Sequence, residues 1–223
     1  MKLHDGDNNR LRDLILGGQD GLVNVLGNVL AVATATSNLK IVLIAGLAAT
    51  FAESISMAAV AYTSFKAARD YHKSLVKEEL KDIKEDPEWH KKQVEKIYKK
   101  RGFSGSLLGS IVKKVTSTKK LLVKTLVKEE FGNVEIENPL RSAFVVGLSA
   151  TVGSLIPLMP FFLNLDAARI WAVGISAIAL FIAGAYKAKI TTGNWKKSGL
   201  EIMAIGMGAA AIGYLIGLIL SYL

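Results

Sequence analysis

The chain has 223 residues, of which 51% are hydrophobic, and its mean hydropathy is +0.33. This composition argues against a water-soluble domain and indicates a membrane protein. Cysteine is absent, which excludes disulfides, zinc–thiolate sites and thiol chemistry.

The first predicted element follows a polar N-terminus that has no short apolar core and no cleavage motif. We therefore expect no cleaved leader peptide. Five apolar stretches are each long enough to cross a bilayer as a helix. In chain order they are Leu14 to Thr36, Ile41 to Phe65, Leu140 to Leu163, Ile170 to Ala188 and Leu200 to Tyr222.

A charged insert separates the second apolar stretch from the third. We predict an all-α integral membrane protein with five transmembrane helices and a cytosolic helical insert between helices 2 and 3. The predicted segments are residues 1–66 with the first two helices, 67–138 as the insert, and 139–223 with the last three helices.

The basic residues predict the orientation of the chain. Of the 28 lysines and arginines, all except Lys40 and Arg169 fall on one side of the predicted spans. Because cytosolic loops carry the excess of positive charge, we place the N-terminus and the insert in the cytosol and the C-terminus on the opposite side. The insert has no aromatic stacking pairs or recognised module, so nucleic-acid binding is disfavoured.

Four helices are predicted in the insert. The first ends near Glu85, and Asp86 and Pro87 are an N-cap and first-turn proline for the second. Gly102 ends the second helix. The third is capped by Ser104 or Ser106, the fourth by Thr118, and Gly132 is a C-terminal stop.

Polar residues inside the apolar stretches are the candidate transport site. Asp20, Asn24 and Asn28 form one stripe of the first span, and Glu53 and Met57 lie four residues apart in the second, beside Thr50 and Ser54. Intramembrane acids are costly to insert, and oxygen with thioether ligands suits Fe²⁺ or Mn²⁺ better than zinc. Methionine as a packing residue and asparagine as a link between helices are the alternative interpretation.

The insert supplies further carboxylates as candidate metal ligands. They are Glu78, Glu79, Asp82, Glu85, Glu88, Glu95, Glu129 and Glu130. Interleaved lysines are also typical of a solvated helix, and that interpretation stays open. His72 and His90 are possible additional ligands, although isolated histidines on a charged surface usually bind nothing.

Three features of the last spans have packing explanations. Pro157 and Pro160 are expected to distort or end the third span at its outer mouth. Gly213 and Gly217 form a G-x-x-x-G close-packing motif. Glu201 lies at the cytosolic start of the fifth span, where its carboxylate can reach the membrane surface.

Several segments resemble the vacuolar iron transporter family over essentially the full chain. They are LRDLILGGQDGLVNVLG at 11–27, AESISMAAVAYTS at 52–64, EDPE, IYKKRGF and KEEFG in the insert, and NPLRSAF and GSLIPLMP after it. The resemblance implies a homodimer with five spans and a cytosolic metal-binding domain that moves Fe²⁺, and often Mn²⁺, out of the cytosol in exchange for protons.

The resemblance also implies roles for single residues. Asp20 and Met57 match positions on the translocation path, Glu53 matches an acid of a prokaryote-like branch, and the first helices of the dimer line the path. Two departures stand out. Many members have G-E-[YF] where this chain has Val60-Ala61-Tyr62, and Leu126 and abundant lysines replace a methionine-containing, glutamate-dense region.

The residues and the resemblance together predict a proton-coupled antiporter. Metal binding ionises Asp20 and Glu53, and protons return as the metal leaves. The expected partners are protons, a second copy and anionic headgroups, with no organic cofactor. The expected location is the cell membrane of a prokaryote or a vacuolar-type membrane of a eukaryote. An uncoupled metal channel and a non-transporting adaptor that docks through the insert are the alternatives; no catalytic motif suggests an enzyme.

Overall fold

The computed structural model describes residues 5–36, 38–131, 138–191 and 193–222, and side chains from Leu11 onward except those of residues 130, 131 and 191. Within these ranges the chain is all helical, without a strand. The helices are α1 (Asp5–Ala35), α2 (Leu39–Glu85), α3 (Pro87–Lys100), α4 (Gly105–Thr116), α5 (Lys119–Phe131), α6 (Pro139–Phe162), α7 (Ala168–Thr191) and α8 (Trp195–Leu220).

Five of these helices, α1, α2, α6, α7 and α8, are long and apolar enough to cross a membrane. This confirms the predicted all-α integral membrane fold with five spans. The second span and the first insert helix, which we expected as two elements, are one 47-residue helix, α2. Its sequence changes from apolar to charged near Lys66 without a glycine or proline, so the change in composition does not interrupt the backbone hydrogen bonds.

The chain divides into two compact units, residues 1–63 with 139–223 and residues 64–138. In the first unit α1 is central: Val25, Leu26 and Val29 are fully buried against neighbouring helices. Glycines allow these helices to approach closely. Gly17 faces the backbone of Val146, and Gly21 faces that of Ala150 one turn later, so α1 and α6 run parallel.

The predicted G-x-x-x-G contact is confirmed on the other side of α1. A Cβ atom at Gly213 would overlap the carbonyl of Gly27, and one at Gly217 would overlap the carbonyl of Ala31. Both glycines are therefore required at the contact of α8 with α1 by space and not by backbone conformation.

Neither proline interrupts α6 where it occurs. Pro157 and Pro160 are both buried within the helix, which ends at Phe162. The carbonyl of Pro160 accepts a hydrogen bond from the Leu165 N–H at 3.1 Å, which closes the end of the helix. Of the two expected effects, distortion or an end of the helix, the structure shows the end, which comes less than one turn after the second proline.

The second unit contains the charged end of α2 together with α3, α4 and α5, packed around Val94, Val112 and Val123. The Asp86 side chain caps α3 by accepting a hydrogen bond from the Trp89 N–H at 2.9 Å. The remaining predicted ends are formed by Gly102 at φ +91°, by Ser104 at the α4 N-cap and by Thr118 before α5. Gly132 lies outside the described residues.

Candidate functional site

The first candidate site lies in the middle of the spans. Asp20 is about 14 Å along the 25-residue span that starts at Leu11, and Glu53 is about 21 Å from the start of α2. The Glu53 carboxyl lies within interaction range of the side chains of Asp20 and Asn24. The structure therefore brings together three of the four predicted membrane ligands, from two helices.

The proximity of two carboxyl groups has a chemical consequence for the pair. Two carboxylates at close range repel each other, so Asp20 and Glu53 together favour a bound cation or a proton over two uncompensated negative charges. A divalent cation bound by both groups requires both to be deprotonated.

Met57 is half-buried and lies one turn after Glu53. Val29 lies close to Gly46, and Glu53 contacts Asp20 and Asn24, so α1 and α2 run antiparallel. In this register Met57 falls beyond Asp20, toward the N-terminal end of α1. Its thioether therefore extends the line of potential ligands in that direction.

Two other polar residues of α2 are occupied with structural contacts. The Thr50 hydroxyl donates to the Gly46 carbonyl at 2.8 Å, and the Ser54 hydroxyl donates to the Thr50 carbonyl at 2.7 Å. Ser54 also accepts a hydrogen bond from Thr151 of α6 at 2.8 Å. These hydroxyls satisfy backbone carbonyls and link helices, which is the ordinary use of serine and threonine in a membrane bundle.

Asn24 and Asn28 are both exposed on the surface of this single chain. Asn24 contacts Glu53, whereas Asn28 is one turn farther along the same stripe. A lipid-facing amide leaves donors and acceptors without partners, so an exposed pair in a span indicates a surface that meets protein or water.

Asp13 is an acid that the sequence analysis missed. It is 3% exposed, and its side chain lies 3.7 Å from the Arg12 guanidinium. The parallel register of α1 with α6 places it at the level of Ser142, which is also buried. The only sequence signal was the spacing of seven residues to Asp20, which puts both acids on one side of α1.

The second candidate site is a cavity of about 820 Å³ within the insert. Acidic side chains from α2, α5 and the α2–α3 junction line it: Glu78, Glu79, Asp82, Glu85, Asp86 and Glu129. Five of these six were predicted from sequence as metal ligands. Asp86 was predicted only as the N-cap of α3. Its side chain both caps that helix and lines the cavity.

The other predicted insert ligands are not part of this cavity. Glu88 lines a separate cavity beside Lys91, with which it forms an ion pair at 3.8 Å. Glu95 is exposed and lines neither of these cavities. The side chain of Glu130 lies outside the described residues. Glu88 therefore fits the alternative of a solvated, ion-paired helix surface.

His90 is not the surface residue that the sequence suggested, because it is 3% exposed and lines the acidic cavity. Its Nδ1 lies 2.6 Å from the Asp86 carbonyl oxygen, to which it donates, and its Nε2 lies 3.6 Å from the Glu79 carboxylate. The backbone contact orients the ring so that Nε2 faces the acids. His72 does not line the cavity, and its Nδ1 is buried without a hydrogen-bond partner among the described residues.

The acids surround the cavity without converging on one point. Among the side chains that the structure describes, no three histidine, aspartate or glutamate groups are close enough to coordinate a single ion. Most lining acids are on exposed, flexible side chains, such as Glu78 and Asp82. The geometry supports a site that concentrates cations, with coordination requiring side-chain rotation.

Comparison with known proteins places this arrangement in context. The chain is 27% identical to vacuolar iron transporter 1 of Tulipa gesneriana over 208 residues, covering 92% of this chain and 84% of that protein. It is 29% identical to vacuolar iron transporter 1 of Arabidopsis thaliana over 209 residues, with coverages of 92% and 83%. Protein CCC1 of Saccharomyces cerevisiae is 28% identical over 213 residues, with coverages of 90% and 66%. A sequence model of the VIT family matches residues 11–218, and the chain therefore belongs to the VIT family.

Proposed function

We propose that this protein transports Fe²⁺, and also Mn²⁺, across a membrane and exports the metal from the cytosol in exchange for protons. The observation that carries the proposal is the close pair of Asp20 and Glu53 in the middle of two apolar spans. Two acids in this environment are costly unless they bind cations or protons. The names of its relatives support iron as the cargo.

The donor set fits a divalent transition metal. Asp20 and Glu53 supply hard oxygen ligands, Asn24 supplies an amide carbonyl, and Met57 supplies a softer sulfur one turn away. Sulfur favours Fe²⁺ over Mg²⁺ or Ca²⁺, and the carboxylates admit Mn²⁺. A site without cysteine or histidine holds these ions weakly enough to release them.

Proton coupling follows from the chemistry of the same pair. In the proposed cycle the pair of Asp20 and Glu53 carries a proton when the site is empty and none when metal is bound, because metal ligands must be deprotonated. Each arrival of metal releases that proton, and each departure allows a proton to return. A more acidic outer side then drives metal out of the cytosol, because protonation there competes with rebinding.

The insert is proposed to collect metal on the cytosolic side. Its acidic cavity raises the local concentration of cations, and the buried His90 provides a nitrogen ligand beside Glu79. The many lysines elsewhere on the insert are proposed to contact anionic headgroups.

A second copy of the chain is proposed to cover the exposed amides of α1. Asn24 and Asn28 are expensive to leave in lipid, and they would line a path shared by two α1 helices in a homodimer. The cation would then pass between the two copies.

The decisive experiment uses the purified protein in liposomes that contain a metal-quenched dye and a pH dye. With an imposed pH gradient, Fe²⁺ flux and proton counterflux are expected together. Asp20→Asn should abolish both fluxes, whereas Asp166→Asn, the same change at an exposed connection, should preserve them. Metal flux without proton flux would identify a channel. Normal flux by Asp20→Asn would eliminate the assigned site, and the absence of flux in the wild-type protein would favour a docking adaptor.

A further inference from the structure

We propose that an apolar groove in the membrane-spanning unit binds the acyl chain of an anionic phospholipid from the cytosolic leaflet. The groove has a volume of about 610 Å³ and lies between α1, α6 and α7. It is separate from the acids of both candidate metal sites, and the proposal does not depend on metal transport.

The floor of the groove is formed by small residues. Gly18 of α1 and Gly153 of α6 touch backbone to backbone, since a Cβ at Gly153 would overlap the Gly18 carbonyl. Ala179 and Ala183 continue the floor along α7. The Ser149 hydroxyl in the floor donates to the Val146 carbonyl at 2.9 Å, so it offers no unsatisfied donor to an occupant. The floor therefore suits a hydrocarbon chain.

The walls of the groove are large side chains that stand in the surrounding membrane. On α6 they are Phe144, Leu148 and Val152, each more than half exposed, and on α7 they include Ile182 and Tyr186. The α6 lining extends from Phe144 to Ile156, about 18 Å of helix. One leaflet of hydrocarbon is about 15 Å deep, so the groove matches the length of a single acyl chain.

Each helix of the groove carries a cation close to the same end of its lining residues. On α6, Arg141 precedes Phe144 by three residues on the same face, and on α1, Arg12 precedes Ile15 in the same way. On α7, Lys187 follows Ala183 by four residues. Arg12 also forms an ion pair with Asp13, whose carboxylate is buried.

This placement selects the chemical class of the occupant. Three cations at one end of an apolar groove suit a molecule with an anionic head and a hydrocarbon tail. Tyr186 lies near that end, at the depth where aromatic side chains meet headgroups. A second copy of the chain is a poorer occupant, because a two-fold contact through this face would bring Arg12, Arg141 and Lys187 toward their own counterparts.

The test measures lipid retained by the full-length protein in native mass spectrometry, after exposure to phosphatidylglycerol or phosphatidylcholine of identical chains. The wild-type protein should retain phosphatidylglycerol in preference. Ala183→Trp, which fills the floor, should reduce this retention about tenfold. Ile178→Trp, on the exposed side of the same helix and outside the groove, is the matched control and should behave like the wild type.

A second variant tests recognition of the lipid headgroup separately from binding of the acyl chain. Arg141 is exposed, so its replacement should not disturb folding. Arg141→Ala should remove the preference for phosphatidylglycerol while leaving retention of phosphatidylcholine unchanged. Equal retention of both lipids by the wild type, or unchanged retention by Ala183→Trp, would overturn the proposal. So would a loss of dimers in Ala183→Trp without loss of lipid, since the occupant would then be a second copy.

Discussion

Glu53 of α2 lies close to Asp20 of α1, in the middle of two apolar helices. The pair is 33 positions apart in the chain, and only the antiparallel packing of α1 and α2 brings it together. Because two carboxylates at close range repel each other, the pair is at once a candidate metal ligand set and a candidate proton carrier.

The first prediction concerns the protons released on metal binding. The wild-type protein should release a proton when Mn²⁺ binds, so affinity should fall as pH falls. Glu53→Gln should release none and should bind about 100-fold more weakly, because even outer-shell ligand partners contribute about 10- to 100-fold. Calorimetry in buffers of different ionisation enthalpy measures the protons. Ser56→Ala, an exposed change on α2, is the control, and proton release by Glu53→Gln would contradict the assignment.

A second prediction separates the acids of the insert cavity from those outside it. The double variant Glu79→Gln with Asp82→Asn should reduce the number of Mn²⁺ ions bound by the full-length protein, measured by electron paramagnetic resonance. The matched double variant Glu88→Gln with Glu95→Gln removes the same charge outside the cavity and should bind normally. Equal losses in both variants would mean that total charge, and not the cavity, attracts the metal.

The third prediction tests whether two α1 helices meet. The natural chain has no cysteine, so Asn28→Cys introduces a single thiol. In native membranes a short bifunctional maleimide should join two copies of this variant. Ile178→Cys, exposed on α7, should remain monomeric on gels. If only the α7 thiol were crosslinked, the proposed dimer face would be wrong.

Orientation in the membrane gives the fourth prediction. Asp166→Cys lies in the connection between α6 and α7, and Ser106→Cys lies in the insert. A membrane-impermeant maleimide added to intact cells should label the first thiol and should reach the second only after permeabilisation, because the excess of positive charge predicts that the insert is cytosolic. Labelling in the reverse order would invert the proposed direction of transport.

The fifth prediction concerns the contact of α8 with α1. Gly213→Ala places a methyl group against the Gly27 carbonyl, which is rigid backbone, and should cost about 1–3 kcal/mol. Thermal unfolding in detergent should show a lower Tm. For Gly208→Ala nothing described lies within 4 Å of the new methyl group, so its Tm should be unchanged or higher. Similar melting of both variants would show that this contact contributes little.

Local chemistry explains which elements were predictable. Asp86 and Pro87 mark a helix start through interactions within four residues, and the structure shows the cap as expected. The joining of the second span to the insert helix was missed, because a change from apolar to charged residues alters the surroundings of a helix and not its backbone. Pro157 and Pro160 were expected to distort or end the third span at its outer mouth, and α6 ends at Phe162, two residues after Pro160.

The burial of single polar residues was the least predictable property. Asp13 and His90 are both 3% exposed, yet each occurs in a charged stretch of sequence that suggests solvent. Burial depends on which other helix packs over a residue. For Asp13 the register of α1 against α6 sets the level at which it lies, and for His90 the ring is oriented by its contact with the Asp86 carbonyl.

By itself the sequence determined the all-helical membrane fold, the five spans, most of the insert helix ends and most of the acids on which the candidate sites draw. These features follow from hydropathy, periodicity and capping, which act over a few neighbouring residues. The tertiary structure alone decided that Glu53 meets Asp20 and that Glu88 is separated from the acidic cavity. Such contacts join residues from different helices, and their register is set by side-chain and glycine packing that no local pattern encodes.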